Sequence, residues 1–259
     1  MSLVKILLRR KLVFSLLLVF VSCKETDKGA LKVKTYSETL KQASSPVDFV
    51  KNKINTHDLL IFDDALHSAK EPFDFYNDLL EDDTFSQKIN FIFIEVFSTS
   101  SQKYIDKFLQ DEYLNIQTLA PVFQNDYSGY GWRYKTYLDI LLKVREINKK
   151  QEKKVRVIGV DQPIYWESIH TLEEYKEFQE TLIARDYFMY KIILKTLKNF
   201  RKNLKGIFIT NTRHAYKNIK NKRNELYWNT ATFFNHLQKE KTYSIRIHNA
   251  ILSFQSRKL

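Results

Sequence analysis

Asp63, Asp64, His67 and Glu71 crowd the segment that follows the apolar run Leu59–Phe62. Glu95 interrupts a second run, FIFIEVF. Asp161 closes a third, VRVIGV, and Asn211, Arg213 and His214 follow a fourth, GIFIT. A carboxylate inside an apolar run costs several kcal/mol, of order 3–5, unless it is paired or bound. Glu95 is therefore either half of a structural ion pair or part of a site. Imidazole titrates near neutral pH, so His67 and His214 suit general acid–base work. Two histidines with nearby carboxylates also suit a divalent metal, for which His67, Glu95 and His214 are the alternative ligands. Each residue has a plainer reading as well. Glu71 fits a site or the acidic first turn of a helix opening at Pro72. Asp63 fits a site or a strand-end turn.

The elements that must position these groups are legible from the hydrophobic pattern. Strands are predicted at Leu59–Phe62, Ile89–Phe97, Val155–Val160, Gly206–Thr210 and Tyr243–Ile247. Helices are predicted at Phe73–Leu80, Gln102–Leu109, Tyr134–Asn148, Leu172–Phe200 and Glu225–Leu237. Strands alternating with helices predict an α/β fold, a single domain over residues 46–259 with a mostly parallel central sheet flanked by helices. Open sheets of this kind bind ligands beyond the carboxyl ends of their strands. Asp64, His67, Glu95, Asp161, Asn211 and His214 all stand at such ends.

Composition narrows the function classes. The chain has 259 residues and a net charge of +12, with lysines such as Lys149, Lys150, Lys153 and Lys154 spread over helices. This is read as solvated basic surface, and nucleic acid is not expected as a partner. Only 5 glycines occur, against a Gly-rich phosphate loop. No Gly-x-Ser-x-Gly elbow is present. At the start, Lys5, Arg9, Arg10 and Lys11 precede the apolar stretch Leu12–Val21, which ends at Ser22-Cys23. Residues 1–22 have the layout of a signal peptide, and the segment before Cys23 resembles a bacterial lipobox. Cys23 is the only cysteine, so it is expected to carry lipid. Lys24 follows it, which points to the outer membrane. Residues 23–45 are expected to be a polar tether.

The strand-end pattern resembles the erythromycin esterase-like proteins and their relatives, the ChaN-type haem-uptake and Tiki/TraB-type proteins. Their Gly-Glu-x-x-His-Gly-x-x-Glu stretch corresponds to Asp63 through Glu71, with Asp63-Asp64 in place of Gly-Glu and Ser68 in place of the second glycine. Their later strand glutamate corresponds to Glu95. Their aromatic-led helix with Arg-x-x-Asn corresponds to Trp132, Arg145 and Asn148, and their Gly-x-Asp to Gly159-Val160-Asp161. Their Arg-Asp with a nearby Met corresponds to Arg185, Asp186 and Met189, and their Asn-x-x-His to Asn211 and His214. The resemblance implies a metal-independent hydrolase acting on an ester or related carbonyl of an unidentified small molecule. His67 would activate water, Asp64 and Glu95 would orient the imidazole and hold the water, His214 would assist, and Arg185 would stabilise the oxyanion. Glu71, Asp161 and Asn211 would support them. As alternatives it admits a metal-dependent peptidase-like site, haem binding with Tyr127, Tyr130, Trp132 and Tyr134 near the ligand, or a degenerate site on a retained fold.

Overall fold

In the computed structural model, residues 44–65, 67, 69–126 and 135–247 are described. Cys23, the signal segment, most of the tether, Ser68 and the aromatics Tyr127, Tyr130, Trp132 and Tyr134 lie outside them. Met1–Phe49 and Val50–Leu259 form two units, and the architecture below is that of the second.

Five strands build the sheet: β1 (Leu59–Asp63), β2 (Phe91–Ser98), β3 (Arg156–Asp161), β4 (Gly206–Thr210) and β5 (Thr242–Ile245). Their order is β3-β2-β4-β1-β5, and every pairing is parallel. Apart from Phe91 and Arg156, every residue of β1 to β4 is buried. That is why these segments are continuous apolar runs: a parallel sheet is covered on both faces. The helices of eight residues or more are α1 (Pro46–Thr56, of which residues 50–56 belong to this unit), α2 (Glu71–Glu81), α3 (Gln102–Gln110), α4 (Lys135–Lys150), α5 (Leu172–Thr181), α6 (Arg185–Thr196) and α7 (Thr230–Leu237). On one face Leu59, Ile61, Phe93, Val160 and Phe208 pack against Met189, Tyr190 and Ile193 of α6 and Phe234 of α7. On the other, Phe62 meets Tyr76 of α2 edge-on, and Phe97 meets Tyr137 of α4. Each such side chain contributes roughly 1.5–3 kcal/mol on burial. No described helix is long and apolar enough to cross a membrane.

Two departures from the predicted elements shape the site. The helical stretch expected over Leu172–Phe200 is broken by a 3-10 turn at Leu182–Ala184. α5 buries no residue and opens on a Thr171–Glu174 capping box, whereas α6 buries Arg185, Asp186, Met189, Tyr190 and Ile193. After the break α6 starts at Arg185. The helix expected from Glu225 begins instead at Thr230, where the Asn229 side chain accepts a bond from Thr232 N.

β2 carries an irregularity that matters equally. Ile94 pairs with Gly159, but Ser98 pairs with Asp161. β2 therefore spends four steps where β3 spends two, and Glu95 lies in the bulge. Gly159 permits it, because a Cβ there would stand 2.7 Å from the Phe97 carbonyl oxygen. Bulges of this kind re-aim side chains at sheet ends.

Candidate active site

The expected strand ends converge. His67, Glu95, Arg185, Asn211 and His214 line one cavity of about 420 Å³, together with Leu182, Asp186, Thr212, Arg213 and Tyr227.

The stretch after β1 is held by its own aspartates. Ala65 and His67 adopt left-handed backbone, with φ 56° and 59°, which costs a non-glycine residue about 1–3 kcal/mol. Asp63 Oδ1 accepts a bond from Ala65 N at 2.8 Å, and Asp64 Oδ1 from His67 N at 3.0 Å. These local carboxylate turns offset the strain. Asp63 is spent on structure: it also accepts bonds from the Thr212 hydroxyl at 2.6 Å and the Tyr216 hydroxyl at 2.5 Å. Asp64 faces the site. Its Oδ2 bonds His67 Nδ1 and accepts the Tyr137 hydroxyl at 2.7 Å. Burial lifts the Asp64 carboxyl above its usual range, against the opposing pull of His67. Burial acts to lower His67, but the bond to Asp64 and the charge of Glu95 outweigh it and raise the imidazole. Burial pushes the Tyr137 phenol well up, so it stays a neutral donor.

The opposite wall is a charge network. Arg185 grips Asp161 with two bonds, Nε to Oδ1 at 2.7 Å and Nη2 to Oδ2 at 2.9 Å, and donates to Glu95 Oε1 at 2.9 Å. Glu95 Oε2 accepts the Thr210 hydroxyl and Asn211 N, both at 2.6 Å. His214 Nε2 lies 3.3 Å from both Glu95 Oε1 and Arg185 Nη1, while Nδ1 bonds Asp186 at 2.7 Å. Burial works to raise Glu95, but the charges of His214, Arg185 and His67 prevail and hold it far below the carboxylate range. Burial works to lower His214, and Glu95 and Asp186 overcome it and raise the imidazole. Burial lifts Asp161 despite Arg185.

Some expected residues fall elsewhere. Glu71 is exposed in the first turn of α2 and does not line the cavity. Asn211 contributes mainly its backbone N–H to Glu95 and caps the short helix Thr212–Ala215. Arg145 and Asn148 are buried away from the cavity. Arg145 donates to the carbonyls of Phe108 and Glu112, and the Asn148 amide exchanges two bonds with Val155 just before β3. Asp186 is the cavity residue the pattern undervalued: it fixes His214 and accepts Thr230 N at 2.7 Å. Tyr137 gave no signal, because a tyrosine in the apolar stripe of α4 reads as core. His67, Glu95 and His214 are not gathered as metal ligands. Among the described residues no group of three or more His, Cys, Asp or Glu side chains is arranged to hold a metal ion.

No family model and no curated protein matches this chain. Solved structures do. A bacterial protein toxin matches at 14% identity and TM-score 0.52, over 89% of this chain and 44% of its own. A Bacillus cereus protein matches at 16% and 0.53, over 78% and 69%. ChaN of Campylobacter jejuni, solved with cofacially bound haem, matches at 13% and 0.51, over 82% and 89%. This chain thus spans less than half the length of that toxin. At these identities the likeness is one of fold, which this chain shares with ChaN and the other two structures.

Proposed function

We propose that the cavity is the active site of a hydrolase in which His67 activates water against an ester or related carbonyl. The observation that carries this reading is the His67–Asp64 pair on the same cavity as a guanidinium locked by two carboxylates. Asp64 favours the tautomer with the proton on Nδ1, which makes Nε2 the basic nitrogen. Water would lose a proton to Nε2 as its oxygen bonds to the carbonyl carbon. That proton would then pass to the departing alkoxide. Arg185, fixed in its fork geometry, is suited to the oxyanion. His214 and Asp186 position Arg185 and Glu95 from the other side. His67→Ala should cut hydrolysis of p-nitrophenyl esters by about 10²–10⁴-fold. Undiminished hydrolysis by that variant overturns the assignment.

Haem binding is the second reading, favoured by the likeness to ChaN. The cavity itself fits haem poorly: Glu95, Arg185, Asp186 and Arg213 line it, where a porphyrin face needs apolar walls. A haem titration followed at the Soret band tests it, and a saturable shift would support it.

We further propose that the chain is exported and anchored in the outer membrane by lipid on Cys23, on the strength of the charged and apolar segments before that lone cysteine. Labelled palmitate should enter the wild type and not Cys23→Ala.

A further inference from the structure

Nearly every charge on the cavity wall is spoken for. Arg185 answers Asp161 and Glu95; His214 answers Glu95 and Asp186; His67 answers Asp64. Arg213 differs. Among the described residues its guanidinium has no hydrogen bond or ion pair, although it lines the same cavity and is solvent-exposed. An arginine on open surface often stays solvated. This one projects from a fixed platform. Asn211 N is bonded to Glu95, the Thr212 hydroxyl to Asp63, the Arg213 carbonyl accepts the Asn229 amide at 2.6 Å, and His214 is clamped by Asp186. The backbone on both sides of Arg213 is thus set by the residues that build the reaction centre. Such preorganisation lowers the ordering cost of a planar, two-toothed grip on an oxyacid. Beside it Leu182 and Tyr227, the latter 37% exposed, supply a carbon-rich wall.

We infer that Arg213 selects the substrate: the hydrolysed compound carries an anionic oxyacid group, a carboxylate or a phosphate, that docks on Arg213 while its carbonyl lies toward His67 and Arg185. This rests on the hydrolase reading, and it makes Arg213 a specificity residue of that site. The buried charges, being mutually compensated, leave this outer cation to recognise the substrate's own charge.

The test compares p-nitrophenyl esters of butyrate, succinate and phosphonopropionate, which present a neutral, a carboxylate and a phosphonate tail. The wild type should favour one of the two anionic esters. Arg213→Gln should cut the ratio of kcat/KM for that ester over butyrate by about tenfold, as expected for one charge-assisted contact near the surface. Arg213→Lys should restore part of it. Which tail is favoured distinguishes carboxylate from phosphate, and a ratio unchanged in Arg213→Gln overturns the inference. Should no ester be hydrolysed, the hydrolase reading falls and titration calorimetry with succinate and with inorganic phosphate decides the anion site. Binding lost in Arg213→Gln but kept in Lys149→Gln, which removes the same charge outside the cavity, supports it. No binding by the wild type, or equal weakening in both variants, sinks it.

Discussion

Two buried arginines, Arg145 on α4 and Arg185 on α6, are exposed to only 4% and 8%, yet their surroundings are opposite in kind. Arg145 donates hydrogen bonds to backbone carbonyls, Phe108 at 2.5 Å in the last turns of α3 and Glu112 at 3.0 Å just beyond, and lies over the Phe108 ring. It completes a helix end, where partial negative charge collects. Arg185 faces two full carboxylates and a histidine, on the wall of a cavity at the carboxyl ends of the strands. A cation satisfied by neutral dipoles is a fastener. A cation held among compensating charges beside a cavity can answer charge that develops during a reaction. Burial alone does not separate the two roles; the partners do.

The contrast can be broken by experiment. Arg185→Met leaves Glu95 and Asp161 buried without their cation and should cost about 3–5 kcal/mol in urea unfolding at pH 7. The loss should shrink as pH falls, because the stranded carboxylates can then take up protons. A small, pH-independent loss would put Arg185 in the same class as Arg145. Arg145→Met strands two carbonyls and should cost less, about 1–3 kcal/mol, with no change across pH 5–8 and no effect on hydrolysis. A collapse of hydrolysis in a folded Arg145→Met would erase the distinction.

The smallest effect is the pH dependence of the site itself. Glu95 is depressed in the fold, so its contribution is complete above its ordinary value of 4.5 and fades as pH falls through the native value. His67 and His214 are raised, so theirs is complete below 6.5 and fades as pH rises through the native values. Asp64 and Asp161 are raised by burial, so they oppose Glu95 on the acid side and add to the loss as pH rises. The clear effect is therefore alkaline: above about 6.5 the site should weaken, by on the order of 1 kcal/mol per pH unit per group. His214→Gln should flatten the alkaline side of a plot of urea midpoint against pH. A wild-type midpoint that climbs from pH 6.5 to 8.5 would contradict these directions.

What could be read without coordinates followed from two local rules. A strand covered on both faces must be apolar throughout, so LLIF, FIFI, VIGV and GIFI announced β1 to β4 and the parallel α/β fold. Charge set against such a run is costly, so His67, Glu95, Asp161 and His214 stood out as candidates before any distance was known. Glu71 stood out by the same rule and proved to be an exposed first-turn residue, because a helix start also favours acid. The break at Leu182–Ala184 escaped the pattern. Amphipathic spacing continues across it, and only the differing burial of α5 and α6 demands a turn.

The sequence by itself determined the strands, their order along the chain and the inventory of ionisable groups at their ends, because these depend on burial and charge residue by residue. Tertiary structure decided the partnerships. It gave Asp64 to His67 and Asp63 to Thr212 and Tyr216, turned Tyr137 from core residue into a donor for Asp64, and left Arg213 uncommitted on the cavity wall. Apart from the Asp64–His67 bond, which spans only three residues, those outcomes depend on contacts between residues far apart in the chain, set by the strand order β3-β2-β4-β1-β5 and the bulge at Glu95. No local pattern encodes them.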